Sequence, residues 1–359
     1  MKSILVVTTR QIGDVLLTTP LIRAARQRWP EANIDVLGFK GTLGVLRANP
    51  DIRKLIETPA RLGWRGVLKL LGQWNRYDLA LVAQPSDRAH IIGWISAKKR
   101  SGIVPAGTSS GWLKNKLLDH VVISQGDTSD VHVTQEKIEL LAPWLNGEKP
   151  TPQVVPPTAT PLPRAIAQIL QPGAVVVHAP SMWNYKQWPL AHYRVLVQSL
   201  LQQGRQVVLT GTSGARDQEC VAPLLGLAAA PQLVNATGQL DFGQLTTLFQ
   251  QSALYIGPDT SISHLAAATG IPMIAIFGPT NPQRWAPWPA GADELTFFVP
   301  SALQQQAGNV RLLQGAQSCV PCSRAGCENH VNSRSDCLIS ISPERVLAQV
   351  EQILKPASA

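Results

Sequence analysis

A glycine turn followed by hydroxyl residues, with acids and a lysine at similar places elsewhere in the chain, is a set suited to a phosphorylated molecule. The run Tyr255-Ile256-Gly257-Pro258-Asp259-Thr260-Ser261-Ile262-Ser263-His264 reads as a strand, a tight turn and a helix start. A helix start presents backbone N–H groups without intrahelical partners and the positive end of the helix dipole, so it favours an anion. Thr260 and Ser261 add hydroxyl donors, and Gly257 would let the backbone approach a ligand closely. Asp259 has two readings: a helix cap, or an acceptor for a sugar hydroxyl. His264, in the first turn or so, faces either the ligand or the core. Just beyond, Met273–Phe277 followed by Gly278-Pro279-Thr280 reads as a second strand and turn, which puts Gly278 on the same rim.

Three further places carry chemistry of the same kind. The run Thr8-Thr9-Arg10-Gln11-Ile12-Gly13-Asp14 closes the first strand, with Thr9 at the strand end and Gly13 permitting a tight turn. From such a rim the Asp14 carboxylate can serve as general base for a hydroxyl nucleophile; the plainer alternative is a helix cap. Glycines spaced as G-x-G-x-x-G are absent there, so this is not a dinucleotide fingerprint. Lys186 stands in the aromatic loop Trp183-Asn184-Tyr185-Lys186-Gln187-Trp188, where it can meet a phosphate or be one of 32 solvated bases. Asp217 and Glu219 follow the small-residue loop Gly211-Thr212-Ser213-Gly214. They can hold a ribose hydroxyl or simply suit the positive end of a helix.

The elements that must place these residues alternate along the whole chain. Ile4–Thr8, 34–37, 55–58 and 79–83 read as buried strands, and 16–29, 67–74 and 133–144 as helices. Pro20 falls early in the first helix, which kinks there or restarts with Thr19 as its cap. Residues 147–163 hold six prolines and no apolar period, marking a linker. Beyond it the strands are expected at 175–178, 207–210, 254–256 and 273–277, and the helices at 191–203, 215–227, 242–250 and 261–269. Such alternation implies two α/β domains with parallel sheets, whose ligands bind beyond the carboxyl ends of the strands.

Composition narrows the class. The chain has 359 residues, 45% hydrophobic and 15% charged, enough for two globular cores. The first apolar run is four residues long, too short for a signal-peptide core, and no stretch reaches the ~20 residues of a membrane span. A soluble, cytoplasmic protein is expected. Thirty-two Lys+Arg against 23 Asp+Glu give +9. That balance suits an anionic partner or an anionic membrane face. Nucleic acid is not expected, because the bases are scattered and no aromatic–basic module is present. Cys319, Cys322, Cys327 and Cys337 are spaced C-x2-C-x4-C-x9-C with His330 inside. They can form a structural zinc knot or remain thiols; Cys220 reads as a core residue.

Arg10-Gln11-Ile12-Gly13-Asp14-Val15-Leu16-Leu17-Thr18-Thr19-Pro20, the Lys186-Gln187-Trp188-Pro189 loop, and Gly257 to His264 with Phe277-Gly278-Pro279-Thr280 resemble glycosyltransferase family 9. These are the ADP-heptose:lipopolysaccharide heptosyltransferases, and the first run is most similar to the heptosyltransferase III group. The resemblance implies a GT-B fold of two Rossmann-like domains facing across a cleft. Residues 1–158 would bind the acceptor and residues 159–342 the ADP-sugar, with a helix in 343–359 packing back towards the first domain. It also implies an inverting transfer of heptose from ADP-L-glycero-D-manno-heptose to the inner core of lipopolysaccharide at the inner face of the inner membrane, with neither metal nor cofactor. Position by position, Asp14 matches the base, Lys186 the phosphate-binding lysine and Asp259 the sugar-binding acid. Thr260 and Ser261 match the phosphate turn, His264 the histidine of the next helix, and Asp217 and Glu219 the ribose region. Thr9, Gly13 and Gly278 fall within the matched substrate-binding runs.

Overall fold

The structure, a computed structural model, describes residues 1–59, 74–107, 116–292 and 297–354. The chain divides into two compact units, Met1–Thr158 with Ala292, and Ala159–Gly291 with the residues from 297 on. The division falls inside the proline-rich run. Thr158 still belongs to the first unit, its hydroxyl donating to Ala48 O (2.8 Å), while Thr160 N–H already bonds Gly243 O (3.2 Å) in the second.

Among the described residues the first unit holds β1 (Ser3–Thr8), β2 (Asn33–Phe39), β3 (Lys54–Thr58), β4 (Tyr77–Val82), β5 (Ala97–Pro105) and β6 (His120–Ser124). They form one parallel sheet in the order β3-β2-β1-β4-β5-β6. Central β1, Ser-Ile-Leu-Val-Val-Thr, has its apolar residues buried on both faces, which is why it reads as a continuous apolar run and not an alternating one. Ile4 sits opposite Ile34 on one side and Leu79 on the other. The helix over 16–29, expected to kink or restart at Pro20 with Thr19 as cap, restarts: Ile12–Leu16 is followed by Thr19–Arg28, with Pro20 in the first turn of the second and Thr18, one residue earlier, in the capping position. Pro20 lacks an N–H that would be unpaired there anyway, so the restart carries no lost hydrogen bond. The helix expected over 133–144 is α-helical only for Val133–Ile138 and tightens to a 3-10 helix through Glu139–Trp144, which contains Pro143. The helix expected at 67–74 lies, but for Trp74, outside the described residues.

The second unit holds β7 (Val175–His178), β8 (Val207–Thr210), β9 (Leu233–Asn235), β10 (Leu254–Pro258), β11 (Met273–Phe277), β12 (Gln304–Ala307) and β13 (Val310–Gln314), ordered β12-β13-β11-β10-β7-β8-β9. All neighbours are parallel except β12, which runs antiparallel along β13. An antiparallel edge strand on an otherwise parallel sheet is a common ending for doubly wound folds. Trp188 anchors this core: it is fully buried, its Nε1–H donates to Ile341 O (2.9 Å), and it packs edge-on against Tyr193 at 4.7 Å between centroids. Helix Pro343–Leu354 contributes to the core of the second unit. Val346 and Val350 belong to the core that contains Trp188. Among the described residues no helix is long and apolar enough to cross a membrane.

The first unit has the strand order 3-2-1-4-5-6 and the second 3-2-1-4-5-7-6, so both share the 3-2-1-4-5 arrangement of dinucleotide-binding folds. In it ligands bind outside the carboxyl ends of the strands where the order reverses. The reversal lies between β1 and β4 in the first unit and between β7 and β10 in the second. Asp14 follows β1, Lys186 follows β7 and Asp259 follows β10, each beside a reversal.

Candidate functional site

In the second unit the two sides of the reversal are joined directly. Lys186, in the loop after β7, donates from Nζ to Asp259 Oδ2 (2.6 Å) in the turn after β10. Thr280, in the turn after β11, donates its hydroxyl to the same oxygen (2.7 Å). Asp259 is buried, and burial pushes its carboxyl up. The Lys186 ammonium outweighs that, helped by His264 and Thr280, and the net pKa lies below the ordinary carboxylate value. Asp259 is therefore an ionised acceptor inside the site and not the cap of the following helix. The capping position of Ser261–Thr269 belongs to Thr260, whose carbonyl takes the N–H groups of Ser263 and His264. The first N–H groups of that helix have no intrahelical partner, as at any helix start. Ser261 is half-buried and His264 buried on the first turn. The structure joins Lys186 and Thr280 to Asp259 beside the helix start that carries Thr260, Ser261 and His264.

Two glycines have reasons other than a ligand. A Cβ at Gly257 would sit 2.2 Å from Tyr255 Oη, and one at Gly278 would sit 2.8 Å from Leu338 Cγ. Gly257 makes room for Tyr255, whose hydroxyl pairs with Ser263 Oγ (2.9 Å) beneath the helix. Gly278 makes room for a core leucine. Neither carries positive φ.

Asp217 lies on the first turn of helix Ala215–Leu225, where its Oδ2 accepts from Thr212 N–H (2.7 Å) and Thr212 Oγ1–H (2.8 Å) and closes the preceding loop. Glu219 is exposed on the next turn. His178, at the end of β7, is fully buried with Nδ1 3.1 Å from Thr210 Oγ1; burial pushes its pKa down to about 4, so it is neutral. Arg216 reaches from the same helix to Ser181 O and Asn184 Oδ1, both at 2.6 Å, and so fixes the loop that carries Lys186.

The cysteine-rich segment braces this rim from outside. Asn184 N–H donates to Val331 O (3.0 Å), Ser335 Oγ to Tyr185 O (2.7 Å) and Ser323 N–H to Pro279 O (2.8 Å). Cys319 and Cys327 are exposed, Cys322 is half-buried and Cys337 buried. Burial and the neighbouring thiols push Cys337 up to about 12. Among the described residues no three His, Cys, Asp or Glu side chains group as a metal-holding set.

In the first unit Asp14 lies inside helix Ile12–Leu16, after the capping position held by Gln11. Its carboxylate is part-exposed and meets Arg10 Nη1 at 3.7 Å. It makes no capping bond, so the cap reading does not describe it. Gly13 is the second residue of that helix and has no positive φ, so it forms no special turn. Thr9 is buried, its hydroxyl taken by Gln84 Nε2 from the end of β4, across the reversal point. The groups missed in the sequence are Gln84 and Lys137, while Thr280 reads there only as part of the Gly278-Pro279-Thr280 turn. Lys137 is buried beneath Asp14 although a lysine on a helix ordinarily reads as solvated.

The geometry finds relatives. The profile of "Glycosyltransferase family 9 (heptosyltransferase)" matches residues 65–331. Lipopolysaccharide heptosyltransferase 3 of Escherichia coli is 28% identical over 292 residues, covering 77% of this chain and 83% of the relative. Among solved structures, E. coli ADP-heptose lps heptosyltransferase II matches with TM-score 0.72 at 21% identity, over 99% of this chain and 98% of its own. E. coli heptosyltransferase WaaC with ADP matches with TM-score 0.71 at 18% identity, over 98% and 99%. The two parallel-sheet units are those of the GT-B fold.

Proposed function

The chain belongs to glycosyltransferase family 9 and is a glycosyltransferase, and from that premise we propose that it moves heptose from ADP-L-glycero-D-manno-heptose to the inner core of lipopolysaccharide, with inversion. The observation that carries the reading is the Lys186–Asp259–Thr280 cluster beside a helix start at the strand-order reversal. The relatives reported above, one of them holding ADP, support it.

In this reading residues 159–342 bind the donor. The ammonium of Lys186, the Thr260 and Ser261 hydroxyls and the N–H groups of the Ser261–Thr269 helix face the diphosphate. Asp259 and His264 meet the sugar, and Asp217 and Glu219 flank the ribose. When the bond from the anomeric carbon to the phosphate oxygen breaks, negative charge grows on the departing ADP, and these fixed donors stabilise it. No metal or cofactor enters. Residues 1–158 bind the acceptor, and Thr9 and Gly13 line its approach. A heptose hydroxyl attacks from the face opposite the leaving group, its proton passing to the Asp14 carboxylate as the new glycosidic bond forms. One base and a single displacement invert the anomeric centre.

The acceptor is borne by a membrane, and the +9 balance of the chain suits docking at the anionic inner face of the inner membrane from the cytoplasm. Turnover of ADP-heptose against a panel of truncated lipopolysaccharide cores tests the whole reading. Transfer to a heptose-bearing core is expected. A preference for a different nucleotide-sugar donor would replace ADP-heptose while keeping the GT-B transferase.

A further inference from the structure

Helix Ile12–Leu16 is five residues long. A helix of that length does not hold itself together, because its few hydrogen bonds do not offset the cost of nucleation. Something outside it must fix the backbone that carries Asp14, and the structure shows what does so. The Asp14 carbonyl oxygen accepts two hydrogen bonds, from Thr18 Oγ1–H (2.8 Å) and from Lys137 Nζ–H (2.7 Å). Lys137 also donates to Thr18 Oγ1 (2.9 Å), which closes a triangle of donor, hydroxyl and carbonyl. Thr18 Oγ1 in turn lies 3.5 Å from Thr8 Oγ1 at the end of β1, so the triangle is anchored to the central strand.

Lys137 arrives from 123 residues further along the chain, on helix Val133–Ile138, and is only 3% exposed. A buried ammonium is costly unless its protons are satisfied. A lysine whose only task was to fill space would be better replaced by an apolar residue of the same length. This one donates to the backbone carbonyl of Asp14 and to the Thr18 hydroxyl that bonds the same carbonyl.

We propose that Lys137 is a positioning residue for the transfer reaction: its buried ammonium, bonded to the Asp14 carbonyl and the Thr18 hydroxyl, fixes the short helix that presents Asp14 to the acceptor. The proposal rests on the reading of Asp14 as the general base. Displacement of a reacting group by about 1 Å can cost a factor of roughly 10² in rate, so the bracing is worth that much.

Lys137→Met keeps the length of the stem and removes the donors; Lys137→Gln restores one donor. Both are assayed by transfer from ADP-heptose to a heptose-bearing core, with ADP affinity measured on the same preparations by titration calorimetry. The expected result is a kcat about 10²-fold lower in Lys137→Met, partial recovery in Lys137→Gln, and an unchanged Kd for ADP in both. A kcat in folded Lys137→Met within twofold of the parent would overturn the proposal, as would parallel losses of kcat and ADP affinity. Should Lys137→Met not fold, Thr18→Val removes the other donor to the same carbonyl; a lowered kcat with intact ADP binding supports the proposal, and an unchanged kcat ends it. Asp14→Asn is run alongside. If that variant stays active, the base reading fails and takes this proposal with it. If it is inactive while Lys137→Met is unimpaired, this proposal fails alone.

Discussion

Lys186 Nζ and Asp259 Oδ2 stand 2.6 Å apart, although 73 residues separate them in the chain, and their bond spans the point where the order of the second sheet reverses. Removing the lysine alone would leave a buried carboxylate without its cation, a loss on the order of 3 kcal/mol. Lys186→Met should lower the urea midpoint, and adding Asp259→Asn should return part of the loss. Strictly additive effects in the double variant would mean that the two groups do not interact.

ADP should stabilise the parent protein in thermal melts, because a ligand that binds only the folded state shifts unfolding by mass action. Lys186→Ala should weaken ADP by about tenfold to a hundredfold, the range of a lost charge-assisted hydrogen bond. An unchanged ADP affinity would return Lys186 to a purely structural partnership with Asp259.

Asp14→Asn keeps the shape of the side chain and removes its basicity. Fold and ADP affinity should survive while kcat falls by ~10²–10⁴-fold, the loss typical of a missing general base. A carboxylate whose only task was its pairing with Arg10 would leave activity close to normal when replaced. A near-normal kcat would strike Asp14 from the chemistry.

His178 gives stability a pH signature. Its folded pKa, about 4, lies below the ordinary histidine value because burial disfavours the charged ring. The folded state therefore holds the neutral form. The associated stability is present above roughly pH 6.5 and is lost as pH falls towards 4, by on the order of 3 kcal/mol. Denaturant melts across that window should show the decline, and His178→Gln should flatten it. An equally steep decline in the variant would place its origin elsewhere.

Gly257→Ala should destabilise by roughly 1–3 kcal/mol through overpacking against the Tyr255 hydroxyl, and Tyr255→Phe in the same chain should relieve part of that. A tolerated alanine would show that the turn can move, which the ligand-approach explanation of this glycine does not require.

Much of the scaffold was legible because of where its strands lie. Val175–His178, Val207–Thr210 and Met273–Phe277 are apolar runs sandwiched between helices, and burial on both faces leaves no polar interruption to blur their ends. Ala97–Pro105 was not legible: Lys98, Lys99 and Arg100 give its first half the look of a loop, and its parallel pairing with β4 and β6 is not a local signal. Gln304–Ala307 is nearly all glutamine, and only its pairing with Val310–Gln314 makes it a strand. At the site, residue types could be read and their couplings could not. Nothing local tells that Thr280 bonds Asp259, that Gly278 yields to Leu338, or that Lys137 turns inward under Asp14. Each of these facts belongs to tertiary packing.

Every strand pairing of the two sheets joins residues on the same side of the Thr158–Ala159 bond, and each hydrophobic core is likewise drawn from one side of it. Among the described residues, a genetic crossover at that bond cuts neither sheet ladder. Recombination between homologous genes at this seam can therefore exchange one sheet and the residues at its strand ends together. Lineages have at hand a route for inheriting the Asp14 half and the Lys186 half from different parents.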